Sequence, residues 1–432
     1  MGREVRNLNL HVRTMVTTDF LVIGGGVIGI NIARQLRRAH GGASVTVIEK
    51  ELACGLHASG RNSGVLHAGF YYPADSLKAR FTRRGNAMLT EYCVDRRLPI
   101  SRSGKLVVAQ SRADHAALDV LWERGRANGV PLERLSEDDA RRIEPRAVTC
   151  EQALFSPSTA TINPAVVMQA MTADAMQEGV VVIPGVRYLR RRAGYVETSG
   201  ASYSAGYVVN AAGLYADRVA HDFGFGERYR ILPFKGLYLY SDDPGEQVRT
   251  NVYPVPDLRM PFLGVHVTST PSGRTKIGPT ALPVLWREQY GGLANFRLGE
   301  FFDLALRQAT MLLTGGRTYQ RLAVHELRKR SRGRLIGLAS RLLRGVRAER
   351  YPAWGAAGIR AQLVDIRRRS LEMDFVLEGD DRSMHVLNAV SPGFTSALPF
   401  AAEVCERIAA ALGPSFRNAA APAPAPAALS VS

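Results

Sequence analysis

The stretch Phe20-Leu21-Val22-Ile23-Gly24-Gly25-Gly26-Val27-Ile28-Gly29 decides the fold. Four apolar residues run into three glycines, a further glycine follows three positions on, and a second apolar run, Val45 to Ile48, ends in Glu49. That is strand, tight turn, helix and strand, with Gly24, Gly26 and Gly29 in the G-x-G-x-x-G register. The first two glycines let the backbone turn and approach a pyrophosphate held at the helix N-terminus; the third lets the helix pack closely on the strand. Glu49 stands 20 residues beyond Gly29, where its carboxylate accepts hydrogen bonds from a ribose hydroxyl. The unit predicts an adenine dinucleotide, with Lys50 counted among the residues that hold it.

At 432 residues the chain is longer than one usual domain, so two domains with separate cores are expected. With 46% apolar and 22% charged residues the balance is that of an ordinary globular protein, and no apolar run is long enough to span a bilayer. Residues 1–18 carry Arg3, Arg6 and Arg13 without the compact apolar core of a signal peptide. They read as a disordered extension. Cys54, Cys93, Cys150 and Cys405 form no C-x-x-C pair, which argues against a metal site or disulfide framework and suits a reducing cytoplasm. The net charge of +17 comes almost wholly from arginine, since lysine occurs only at 50, 78, 105, 235, 276 and 329. No nucleic-acid-binding signature accompanies it, so anionic substrates or an anionic membrane face are its expected partners and nucleic acid is not.

Beyond the first unit, the segment Ala58 to Tyr72 is too rich in glycine, serine and histidine to be a regular element, and such loops carry function. Helices are predicted over 76–96, 112–128, 164–178, 295–313 and from 396 to near Leu412, and Ser136 caps a short one beginning at Glu137. Strands are predicted at 105–109, 180–184 and 207–210, with a hairpin joining 375–377 to 384–387. From Ile231 to Gly278 short strands alternate with proline and glycine, the pattern of an antiparallel sheet. Residues 321–350 read as helical and strongly basic, a solvated face or a surface that docks on anionic lipid. The alanine and proline tail, 416–432, is expected to be disordered.

Three further segments carry chemistry: Ser59 to Gly69, Val208 to Asp217, and Asn388 to Ser396, a small-residue loop that opens a helix. Together with SLKA (76–79), GKLVVA (104–109), PFKG (233–236), NVYPVPDLRMPFLGVHVT (251–268), IGP (277–279) and GIRAQLVD (358–365), they make the chain resemble the FAD-dependent D-amino-acid oxidase superfamily. Within it, the chain resembles the L-2-hydroxyglutarate dehydrogenase or oxidase group, although Arg61 stands where many members have histidine. The resemblance implies an α/β flavoprotein with a Rossmann-type FAD-binding domain and a second, α+β domain whose mixed or antiparallel sheet holds the substrate. The expected boundaries are 19–95, 150–225 and 350–415 for the discontinuous FAD domain, and 96–149 with 226–349 for the substrate domain. FAD is expected to be non-covalent, held by Gly24, Gly26, Gly29, Glu49, Lys50, Ser59, Arg61, Asn62, Ser63, Gly64, Ala212, Gly213, Pro392, Gly393 and Thr395.

The expected reaction is oxidation of an L-2-hydroxy acid to the 2-oxo acid, with hydride passing to flavin N5. His67 and His266 are the candidates for the base, because imidazole titrates near the working pH. Arg360 is the first candidate for pairing with a substrate carboxylate, followed by Lys235, Arg259 and the hydroxyl of Tyr253. Competing readings are a flavin amine or amino-acid oxidase, a glycerol-3-phosphate-type dehydrogenase, and a flavin-binding protein without turnover. Oxygen, a quinone or a carrier protein would each serve as electron acceptor. A cytoplasmic protein, with peripheral contact on the inner face of the membrane, is the expected location.

Overall fold

Phe20 to Ile23 are buried because strands lie on both sides of them and helices cover both faces, which is why the run carries no polar alternation. The protein is described here by a computed structural model covering residues 14–258 and 262–419. Strand 15–23 lies between 45–48 and 202–210, parallel to both, with Phe20 opposite Val45 on one side and Tyr207 on the other. Strand 181–183 extends the sheet beyond 45–48, and 383–388 adds a parallel strand to 202–210. The hairpin 188–198 continues it antiparallel at one edge, and 376–379 pairs antiparallel with 383–388.

Ten helices accompany the strands among the described residues: α1 (27–39), α2 (77–95), α3 (115–127), α4 (137–143), α5 (164–177), α6 (216–222), α7 (298–314), α8 (316–328), α9 (332–339) and α10 (397–419). Ile30, Ile32 and Leu36 of α1 share one core with Met168 and Met171 of α5 and with Phe400 and Val404 of α10. The two ends of the chain thereby close on the same layer. At α4 the expected cap is present: Ser136 Oγ accepts from the Asp139 N–H, and the Asp139 carboxylate accepts from the Ser136 N–H.

A second eight-stranded sheet runs in the order 353–354, 239–241, 275–278, 266–269, 251–254, 105–108, 152–156, 133–136. All its pairings are antiparallel except that of 105–108 with 251–254, so the sheet is mixed. A four-stranded antiparallel sheet, 282–283, 229–236, 358–365 and 370–371, adjoins it, and 65–66, 160–162 and 100–101 form a small third ladder.

Several expected boundaries move. Residues 15–18 are not part of an extension: they pair with 202–205, and Thr18 is buried with its hydroxyl 3.1 Å from that of Thr46. Polar Thr17, Thr18 and Asp19 hide the start of this strand in the sequence. Strand 152–156 and strands 353–354 and 358–365, expected in the FAD domain, pair instead with strands of the second and four-stranded sheets; residues 358–365 match 229–236 over all eight positions. Residues 340–350 are turns and a short 3-10 segment rather than helix. The last helix breaks at Gly413, whose φ is +70°, and helical backbone extends through 416–419 where a tail was expected. Residues 1–13, the remainder of the alanine and proline tail from 420, and Arg259 lie outside the described residues.

Candidate active site

A cavity of about 750 Å³ begins at the glycine turn and runs between the first sheet and the second and four-stranded sheets. Gly24 and Gly26 line its start. A side chain at Gly24, where φ is +111°, would place Cβ 2.5 Å from the Ala211 carbonyl oxygen, so the turn can only be glycine. Gly29 does not line the cavity; its Cβ would meet the Gly24 carbonyl oxygen at 2.0 Å, which makes it the close-packing glycine of the motif. Glu49 lines the cavity and also braces the turn, Oε2 accepting from the Gly25 N–H at 2.8 Å and Oε1 from the Glu51 N–H at 2.9 Å. Ala212 and Gly213, just beyond strand 202–210, line the cavity beside the turn.

Lys50 lines the cavity, its Nζ 2.8 Å from Glu288 and 2.8 Å from His57 Nε2. Glu51, His57 and Glu288 come close enough to one another to hold a metal ion, but the Lys50 ammonium already lies among them. The loop 58–64 then follows the cavity inward. Ser59 Oγ accepts from the Val27 N–H at the start of α1, Arg61 stacks over the Tyr290 ring at 4.4 Å, and Asn62 ties the loop to the Ser59 carbonyl and the Gly64 N–H. These three and Ser63 line the cavity, whereas Gly64 does not. Gly64 has φ of +70° and passes so close to strand 160–162 that a Cβ would sit 2.3 Å from the Ile162 carbonyl oxygen; its role is the turn itself.

At the inner end, Pro392, Gly393 and Thr395 from the loop before α10 face His67, Tyr238 and Arg360. Thr395 Oγ1 accepts from the His67 N–H at 3.2 Å and donates to the Val65 carbonyl, fixing the histidine's backbone. Burial, together with the charges of Lys105 and Arg360, pushes the His67 imidazole well below its ordinary value, so it is neutral. Arg360 projects from strand 358–365, its guanidinium 4.9 Å from the Phe262 ring, and makes no ion pair among the described residues.

Three lysines that the sequence reading left aside lie just behind this lining. Lys105 Nζ lies 3.5 Å from His67 Nδ1, enclosed by Phe70, Tyr71 and Tyr253. Its side chain is fully buried, and burial pushes it down to about 7. Lys276, also buried, donates to the Ser63 carbonyl and is pushed down to about 8 by burial. Lys78 is pushed down to about 8, by burial against the opposing influence of Asp374. None of the three has a carboxylate within ion-pair distance among the described residues, and buried cations without one are costly unless an anionic ligand completes them. The signal that could have found them is their identity: arginine dominates this chain, yet lysine is kept here.

Two expected contacts lie behind the wall instead. His266 stacks on Tyr253 at 3.8 Å and Nδ1 contacts the Gly264 carbonyl; neither ring lines the cavity. The closed stacking of strands 251–254 and 266–269 turns both inward. Lys235 donates to the Gln289 carbonyl at 2.9 Å and also misses the cavity, because strand 229–236 directs it toward the 284–290 segment.

Residues 19–407 match the family described as FAD dependent oxidoreductase, DAO. The chain belongs to this family of FAD-dependent oxidoreductases. The mitochondrial L-2-hydroxyglutarate dehydrogenase of Nematostella vectensis is 33% identical to it over 94% of this chain and 93% of its own length. The L-2-hydroxyglutarate dehydrogenase of Escherichia coli K12 is 32% identical over 90% and 93%. Among solved structures, the dithionite-reduced L-alpha-glycerophosphate oxidase of Mycoplasma pneumoniae with FAD bound superposes with a TM-score of 0.72 at 21% identity, covering 91% of this chain and 94% of that one. The glycine oxidase of Geobacillus kaustophilus gives 0.68 at 20%, covering 91% and 95%. At those identities the likeness shows the fold. The residues of this FAD-dependent oxidoreductase fit the cofactor: the glycine turn leaves no room for a Cβ, and the cavity falls in the size range of cofactor sites.

Proposed function

We propose that this oxidoreductase converts an L-2-hydroxy acid bearing a second carboxylate, of the 2-hydroxyglutarate kind, to the 2-oxo acid. The observation that carries the reading is Arg360 and neutral His67 together on the cavity lining, backed by two buried lysines without a carboxylate within ion-pair distance among the described residues: Lys276, which holds the carbonyl of cavity-lining Ser63, and Lys78, close enough to Arg360 for their charges to interact. Such a set attracts a dianion and repels an ammonium, which favours a hydroxy acid over an amine or amino acid. The relatives named as L-2-hydroxyglutarate dehydrogenases support the same choice. FAD, when bound, supplies the acceptor for the hydride that leaves Cα. Arg360 pairs with a carboxylate and orients the substrate, and neutral His67 takes the hydroxyl proton. Oxygen, a quinone or a carrier protein takes the electrons onward.

Anaerobic titration tests this. L-2-hydroxyglutarate should bleach the flavin absorbance, while its D-enantiomer, glycerol 3-phosphate and neutral amino acids should leave it yellow. Bleaching by glycerol 3-phosphate or an amino acid, with none by L-2-hydroxyglutarate, would overturn the reading. In Arg360→Leu, loss of one charge-assisted contact of about 1.5–3 kcal/mol should raise KM by about 10- to 100-fold, with a smaller change in the limiting rate of flavin reduction.

A further inference from the structure

Helix α7 is apolar on two sides, and only one of them is covered. Leu304 and Met311 pack with Tyr319 and Leu322 of α8 and with Phe234 of the four-stranded sheet. The other side carries Leu298, Phe302, Leu306 and Leu313, spaced at four and seven residues so that they fall on one stripe. Phe302 is 63% exposed, Leu306 70% and Leu313 81%, and Leu293 and Phe296 in the preceding turn are exposed as well. A contiguous exposed patch of this kind marks a contact surface rather than scattered surface leucines.

The charge of the segment that carries the stripe points to one occupant. Between residues 292 and 348 there are twelve Lys and Arg against three acids. All three acids are engaged within the protein: Glu300 with Arg218 and the Arg287 N–H, Asp303 with Arg307, and Glu326 with Lys329 and the Ala281 N–H. Arg321 and Arg328 are exposed on α8, as are Arg330 and Arg334 beyond it. An exposed apolar stripe within a segment of strong positive excess, with exposed arginines on the helix that follows, is the composition of a surface that lies in the headgroup region of an anionic bilayer. A second copy of this chain would bring arginines against arginines. No helix among the described residues is long and apolar enough to cross a membrane, so the contact is one of lying on the surface.

We propose that the exposed stripe of α7, in the basic segment that continues through α8, docks this enzyme on an anionic lipid surface. The sequence suggests such docking for the basic segment 321–350; the structure assigns the apolar part of it to α7 instead. The test is sedimentation of the flavin-loaded enzyme with vesicles of phosphatidylcholine alone or mixed with phosphatidylglycerol, at low and high salt. The enzyme should pellet with the mixed vesicles at low salt. In the double variant Phe302→Ser/Leu306→Ser, which leaves charge unchanged, partitioning should fall by about tenfold or more while flavin content stays the same. Arg321→Gln/Arg328→Gln should weaken binding and flatten its salt dependence. Three results would overturn the proposal: wild-type enzyme left in the supernatant with both vesicles at low salt; a double serine variant that pellets like wild type, meaning charge alone binds; or, without lipid, a dimer by analytical ultracentrifugation that the serine variant dissociates, meaning the stripe is a self-association face.

Discussion

Lys105 is the side chain whose placement most needs a reason. A fully buried ammonium with no carboxylate beside it opposes folding, and burial holds it down at about 7 against an ordinary 10.5. Between those two values the unfolded chain keeps a proton that the folded chain has released, so stability rises with pH across this interval. The cost is fully present below about 7 and absent above about 10.5. Lys105→Met should therefore melt at a higher temperature than wild type at pH 6, with the difference shrinking as the pH approaches 10, and its flavin reduction by substrate should be slower. Melting curves across that range check the first part; a constant difference would show that the ammonium carries no burial cost. On the proposed reaction the lysine has a use: while charged it can only donate to His67 Nδ1, which keeps the ring hydrogen on Nε2 and blocks the base, whereas deprotonated, near 7, it can accept from Nδ1 and leave Nε2 free to take the substrate's proton. That His67 and Arg360 reach the cavity lining was legible in the sequence, because each follows a glycine or serine-rich stretch that marks a close approach. Lys105 was not, because it opens an apolar strand and its meaning depends on Phe70, Tyr71 and Tyr253, brought to it from elsewhere in the chain.

At the scale of elements, the strand, turn and helix from Phe20 to Ala39 were readable because their signals lie close together in the chain: an apolar run, glycines at the spacing where the turn and the helix cannot take a Cβ, and a helix apolar enough to be buried on nearly every side of its first two turns. Gly29→Ala tests that locality. Its Cβ would lie 2.0 Å from the Gly24 carbonyl oxygen, which has no flexible side chain to give way, so α1 must move off the strand. The variant should be purified with little or no yellow colour, seen as a fall in the ratio of absorbance at the flavin band to that of the protein, and should melt earlier than wild type even when saturated with FAD. A variant as yellow and as stable as wild type would remove Gly29 from the cradle. Sheet membership was far less readable. Strand 358–365 carries motif residues of the FAD side, yet its backbone pairs along 229–236, more than a hundred residues away, and nothing within eight residues encodes that partner. The same holds for 152–156, whose neighbours in the chain point one way and whose hydrogen bonds point the other.

For the molecule as a whole, the cofactor cavity is where several layers meet. Its walls come from the first strand and helix, from residues 211–215 in the middle of the chain, from 358–361 in the four-stranded sheet, and from 389–395 before the last helix. A ligand held by all of these stabilises the native arrangement of every layer at once, because it binds none of them in the unfolded chain. Enzyme stripped of FAD should therefore melt several degrees below the flavin-loaded form. Adding FAD back at about 100 times its dissociation constant should return about 2.7 kcal/mol of stability. The gain should appear in one cooperative transition rather than in one of two. FMN, which lacks the adenylate that the glycine turn and Glu49 are built to meet, should recover much less at equal occupancy of the solution. Calorimetry with and without each flavin makes the comparison. If FAD shifted only the earlier of two separate transitions, the layers would be coupled through their own packing and the cavity would belong to the first sheet alone.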